Sequence, residues 1–232
     1  GRAILLEGVT GSGKTEIYLR ALESVLAEGK NAIVLVPEIS LTPQTVARFR
    51  GRLAGQRVRL CVLHSAQTTA ERRESWHEIR EGRARVVIGA RSALFAPLEN
   101  LGLIVVDEEH DGGYKQGESP RYHARDLAVV RGRLEQAPVI LGSATPSLES
   151  AYNADRERYF RVRLTKRVDG AKLPKVQVVD MRKSSVTSKS SFPSGALSCH
   201  ATSFGFSRPS SPRSLPSTPF GVPRRCLRKY SC

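Results

Sequence analysis

The octapeptide Gly8-Val9-Thr10-Gly11-Ser12-Gly13-Lys14-Thr15 restricts the fold of this chain more than any other stretch. It fits the spacing G-x-x-x-x-G-K-[ST]. Ala3-Ile4-Leu5-Leu6 before it is a short apolar run suited to a buried strand. After it, Ile17, Leu19, Ala21, Leu22, Val25 and Leu26 recur at helical spacing, and Gly29 supplies a stop. Strand, glycine turn and helix in that order aim backbone N–H groups and the positive end of a helix dipole at one point. A polyphosphate suits such a point. Lys14 is placed to reach its β- and γ-phosphates, and the Thr15 hydroxyl to ligate Mg²⁺, so the expected ligand is ATP with Mg²⁺.

The next 130 or so residues alternate apolar strands with helices. Residues 32–36, 58–63, 85–88, 103–106 and 139–141 read as strands, and 43–53, 69–81 and 122–134 as helices. Thr42 is the expected N-cap of the second helix, with Pro43 at its first position. Uninterrupted apolar strands between helices imply an α/β fold, a doubly wound parallel sheet covered on both faces. Ligands of such sheets bind beyond the carboxyl ends of the strands. Asp107-Glu108-Glu109-His110 stands at one such end. Asp107 is expected to hold Mg²⁺, Glu108 to orient and deprotonate an attacking water, and His110 to couple the site to another strand end. His64 also follows a strand, but no carboxylate lies near it in sequence, which favours a structural or DNA-proximal histidine over a general base.

Lys and Arg number 37 against 22 Asp and Glu, a net charge of +15. That balance suits a polyanion, and nucleic acid more than membrane, because no basic amphipathic helix or long apolar run stands out. Cys61, Cys199, Cys226 and Cys232 form no C-x-x-C pair, so neither a zinc knuckle nor a disulfide framework is supported; Cys61 in an apolar strand reads as a buried thiol.

The glycine loop, D-E-x-H and Gly142-Ser143-Ala144-Thr145 together resemble the first lobe of superfamily 2 helicases. The match is closer to the PriA-type family of bacterial replication-restart (primosomal) helicases. It is carried by residues 35–44, by Leu63-His64-Ser65 with Glu71, Arg72 and Trp76, by residues 88–95, and by the run from Asp107 to Asp126. The resemblance covers about residues 3–182. It implies a RecA-like P-loop lobe of an ATP-driven 3′-to-5′ DNA helicase of the bacterial cytoplasm. Single-stranded and forked DNA, primosome proteins and single-strand-binding proteins would be its partners. By resemblance, Gly8 to Thr15 bind ATP, Thr15 and Asp107 hold Mg²⁺, and Lys14, Asp107, Glu108 and His110 serve catalysis. Arg91, Ser92, Tyr114, Lys115 and Arg121 would contact DNA, residues 114–121 acting as an aromatic-rich loop that senses the single strand. Tyr114 and Tyr122 suit base stacking, and Lys115, Arg121 and Arg125 suit phosphates. Glu38, Thr42 and Gln44 match segments that lie along the DNA backbone in that family.

The expected lobe spans residues 1–183. Residues 184–232 hold no acid, seven basic residues and many Ser and Pro, and show no periodicity, so disorder is expected there. An out-of-frame read would account for the abrupt change at Lys183, and a functional Ser/Arg-rich nucleic-acid tail is the alternative. The family's zinc ligands and second motor lobe have no counterpart in this sequence. The expectation is therefore a truncated chain that binds Mg²⁺-ATP and DNA and unwinds poorly. A non-enzymatic DNA-binding fragment, or a subunit of another P-loop DNA motor, is the alternative.

Overall fold

The computed structural model describes residues 2–56 and 58–168. The boundary at Lys183 and the tail beyond it lie outside the described residues. Seven parallel strands form one sheet: β1 (Ala3–Gly8), β2 (Asn31–Leu35), β3 (Arg59–Leu63), β4 (Ala84–Gly89), β5 (Leu101–Val106), β8 (Val139–Ser143) and β9 (Phe160–Leu164). Their order is β3-β4-β2-β5-β8-β1-β9. β6 (Lys115–Gln116) and β7 (Tyr122–His123) form a separate antiparallel pair.

Helices cover both faces because successive side chains of a strand point opposite ways. Leu103 and Val105 of β5 pack with Tyr18, Leu19, Leu22, Phe49 and Leu53, from α1 (Lys14–Ala27) and α2 (Pro43–Leu53). Ile104 and Val106 pack on the other face with Ile79, Ala124, Ala128 and Ala154. Those four come from α3 (Thr69–Arg80), α4 (Ala124–Leu134) and α5 (Leu148–Asp155). Every residue of β5 is buried, which is why it reads as an unbroken apolar run. Cys61 is likewise buried, with a free thiol. The doubly wound parallel sheet expected from the sequence is the fold observed.

Local chemistry sets the helix ends. The Thr42 hydroxyl accepts from the Thr45 N–H, with Pro43 at the first helical position. Thr68 and Glu71 form a reciprocal capping box on α3. The strands expected at 103–106 and 139–141 extend to Leu101 and Ser143, and the start of the helix expected at 122 moves. Tyr122 and His123 are not helical; they pair with Gln116 and Lys115, and α4 starts at Ala124. Among the described residues, no helix is long and apolar enough to cross a membrane.

Candidate nucleotide site and nucleic-acid groove

β1 delivers the glycine loop to the carboxyl edge of the sheet. Gly11 and Gly13 adopt left-handed backbone (φ 80° and 92°), which a Cβ would disfavour. The Ser12 hydroxyl is buried with no hydrogen-bond partner. Lys14 is only 8% exposed. Its ammonium donates to the Gly8 carbonyl at 2.7 Å and stands 3.6 Å from Glu108 Oε1. The loop opens on a cleft of about 1010 Å³, whose far wall carries Arg48 and Arg52 of α2. Glu23 holds Arg52 at 2.6 Å. Val168 reaches back from beyond β9, its N–H donating to the Gly11 carbonyl at 3.0 Å.

Across the cleft, Asp107 follows the end of β5, and two tyrosines hold that residue from opposite faces of the sheet. Tyr18 of α1 donates its hydroxyl to Asp107 Oδ1 at 2.9 Å, and Tyr114 donates to the Asp107 carbonyl at 2.7 Å. Burial pushes the Asp107 carboxyl above its ordinary value, while the Tyr18 hydrogen bond and the Lys14 charge oppose the rise. Tyr18 can lie there because residue 142 is glycine: a Cβ on Gly142 would collide with the Tyr18 hydroxyl. Glu108 has φ 44°, a left-handed conformation that is uncommon for a residue with a side chain. Its neighbours peg it there, Asp107 N–H donating to Leu35 at 2.9 Å and Glu109 N–H to Gly142 at 3.0 Å. His110 Nδ1 lies 2.8 Å from Ser143 Oγ and 3.6 Å from Glu108 Oε2, and Nε2 lies 3.4 Å from Thr145 Oγ1. His110 thus bridges the ends of β5 and β8.

Glu109, singled out by nothing in the sequence, is fully buried. Its carboxylate accepts from the Ser147 N–H at 2.7 Å, the Ser147 hydroxyl at 2.9 Å and the Ser150 hydroxyl at 2.8 Å. Arg125 Nη1 lies 3.3 Å from it and donates to Ser147 Oγ at 2.7 Å. The cluster joins the acidic turn to the first turns of α4 and α5.

A second groove, of about 270 Å³, is lined by Glu38, Ser65, Arg72, Arg91 and Ser92 among others. Arg91 spans it to the far side, donating to the Gly113 and Lys115 carbonyls at 3.3 and 2.9 Å. Ser92, Lys115 and Arg121 are exposed. Two of the expected nucleic-acid contacts are corrected. Tyr114 is 1% exposed and packs in the core, so its ring presents no face to a base. Arg125 is 5% exposed and is paired with Glu109 and Asp126, so it does not meet a phosphate. Tyr122 is half-buried, edge-on to Phe95 at 5.3 Å between centroids. His64 Nα donates to Gln67 Oε1 at 3.2 Å, and among the described residues its ring has no hydrogen-bonded carboxylate.

The sequence profile of the DEAD/DEAH box helicases matches residues 1–154, which hold the glycine loop, the acidic turn and the Ser143-Ala144-Thr145 end of β8. The chain belongs to the DEAD/DEAH box helicases. It is 54% identical over 181 residues to replication restart protein PriA of Bacillus subtilis (strain 168), covering 78% of this chain and 22% of the relative. It is 53% identical over 178 residues to the PriA of Chlamydia pneumoniae, covering 76% and 23%. The resemblance to PriA helicases drawn from the motifs is therefore borne out, and the chain spans about a quarter of those relatives' length. Among solved structures, the helicase lobe is similar to RecG bound to a three-way DNA junction (TM-score 0.51, 24% identity, 69% of this chain and 20% of that one). It is similar also to the DUF1998 helicase MrfA bound to DNA (TM-score 0.52, 22% identity, 72% and 25%). At those identities the likeness establishes the shared fold.

Proposed function

We propose that this lobe binds Mg²⁺-ATP at residues 8–15 and single-stranded DNA at the groove beside Arg91 and Ser92, as the first motor lobe of a replication-restart DNA helicase. The observation that carries the reading is the double hold on Asp107. Its carboxylate is fixed by the helix that follows the glycine loop. Its carbonyl is fixed by Tyr114, at the root of the segment bearing Lys115 and Arg121. A shift of that segment moves the Asp107 main chain directly.

The donor set fits a magnesium triphosphate. The loop N–H groups, the unpartnered Ser12 hydroxyl and the buried Lys14 would satisfy phosphate oxygens. Thr15 and Asp107 are the residues that would hold Mg²⁺, which when bound offsets phosphate charge. Among the described residues no cluster of three or more His, Cys, Asp or Glu side chains could hold a metal by itself. Glu108 faces the Lys14 end of the cleft and takes the proton of the attacking water. His110, on Ser143 and Thr145, ties that step to β8. Lys115 and Arg121 meet DNA phosphates, and Tyr114 carries the resulting movement inward rather than stacking on a base. Polarity from 3′ to 5′, forked substrates and primosome partners are the finer part of this reading, supported by likeness to the PriA replication restart proteins.

Fluorescent-nucleotide titration tests the first half. A charge-assisted hydrogen bond is worth about 1.5–3 kcal/mol, so Lys14→Ala weakens Mg²⁺-ATP binding by about 10- to 100-fold. Equal affinity of the two proteins overturns the loop assignment. Glu108→Gln keeps nucleotide binding and loses hydrolysis, with or without DNA. Lys115→Ala with Arg121→Ala keeps ATP binding and loses the effect of single-stranded DNA on it. Retention of that effect removes the sensing role.

A further inference from the structure

α3 sorts its charges onto two faces. Glu71, Glu74 and Glu78 lie three and four residues apart and line one groove with His64 and Gln67. Ile79 alone is buried and pins the helix to the sheet. The other face carries Arg72, Trp76 and Arg80, each one turn or about 6 Å from the next, with Arg73 and His77 beside them. All five are exposed, and Trp76 is 40% exposed. No acid stands three or four residues from Arg72, Arg73 or Arg80, so the helix offers them no ion pair of its own. Among the described residues, Glu78 pairs instead with Arg59 and Arg83. A large aromatic flanked by unpaired guanidinium groups is the pattern that stacks a base and holds the phosphates on either side. Arg72 lies at the top of this face and also lines the groove with Arg91 and Ser92. The face therefore continues that groove down the side of the lobe.

We propose that α3 is a second contact for single-stranded DNA, which leaves the groove over Arg72, stacks a base on Trp76 and lays its phosphates on Arg72, Arg73 and Arg80. The proposal rests on reading the groove as a DNA site. The occupant is a single strand, because only unpaired bases expose a face for Trp76 to stack on.

Trp76 is the chain's one tryptophan, so intrinsic tryptophan emission reports this face alone. The full chain is titrated into labelled oligo-dT to follow label anisotropy, and oligo-dT into the full chain to follow tryptophan emission. Emission is expected to fall in step with the rise in anisotropy. Trp76→Ala weakens binding about ten-fold or more, and Trp76→Phe, which keeps a stacking ring, recovers most of it. Arg72→Gln with Arg80→Gln lowers the slope of log affinity against log salt by about 1.4, at roughly 0.7 per phosphate on a single strand. Anisotropy that rises with unchanged emission, or wild-type affinity and salt slope in these variants, overturns the proposal and leaves the groove standing. Wild-type chain that gives no anisotropy change overturns the groove, and α3 with it.

Discussion

Asp107 is held by contacts that its sequence neighbours do not supply. Its raised carboxyl has a consequence for stability. A buried carboxyl with a raised folded value favours the fold fully below its ordinary value near 3.8. That contribution is lost as pH climbs through the folded value. Wherever Asp107 is ionised, its buried charge therefore costs stability in the metal-free protein. Asp107→Asn, which can still accept from Tyr18, raises the melting temperature at pH 7 in EDTA and weakens Mg²⁺-dependent nucleotide binding; a lower melting temperature would contradict the burial argument. Tyr18→Phe removes a hydrogen bond that lowers the Asp107 value, so the acid fall-off of Mg²⁺-nucleotide affinity moves to higher pH. Gly142→Ala drives the Tyr18 hydroxyl away and moves the profile in the same direction. An unmoved profile in both variants would show that Tyr18 does not tune the carboxylate.

At the level of elements, the Glu109 cluster joins the acidic turn after β5 to the starts of α4 and α5. A fully buried carboxylate is costly to remove from one side, because Arg125 then keeps only the exposed Asp126 and Glu149 and the Ser147 and Ser150 donors lose their acceptor. Glu109→Ala is expected to cost about 3–5 kcal/mol in urea unfolding. Glu109→Gln with Arg125→Met removes both charges, keeps an acceptor for Ser147 and Ser150, and recovers most of that loss. If the double variant is as unstable as the single, the hydrogen bonds rather than the ion pair dominate. None of this cluster was legible in the chain. Glu109 looks like one more acid in an acidic string, and Arg125 like one more base after a basic loop. Only the parallel order of β5 and β8 brings Ser147 beneath Glu109. The start of α4 departs from the local sequence pattern for a related reason. Tyr122 and His123 fit the helical pattern locally, but the pairing with Lys115 and Gln116 takes their backbone into a strand. The burial of Tyr114 was hidden as well, since one tyrosine in a glycine-rich, charged segment carries no periodic signal.

Across the whole molecule, the sheet, its two helical layers and the glycine loop were legible because each rests on a local pattern: apolar runs, 3.6-residue spacing, caps and glycines. β9 was not, since its alternating Arg161 and Arg163 hide an edge strand that Glu7 of β1 holds at 3.0 and 2.7 Å. If the cleft takes Mg²⁺-ATP, nucleotide at 100 times its dissociation constant adds about 2.7 kcal/mol of stability, read as a higher melting temperature. Lys14→Ala abolishes that gain; a gain that persists in the variant would place the nucleotide elsewhere. The strand order has one more consequence. β1 lies between β8 and β9, so within this sheet the strand earliest in sequence has for neighbours the two latest. With ribosomal synthesis at roughly 5–20 residues per second, β1 waits on the order of ten seconds for Val139 to emerge. Throughout that interval the glycine loop hangs on an unpaired apolar strand. An arrested ribosome carrying the chain only as far as α4 would display a nascent protein unable to retain nucleotide, exposing Ile4, Leu5 and Leu6 to any chaperone within reach.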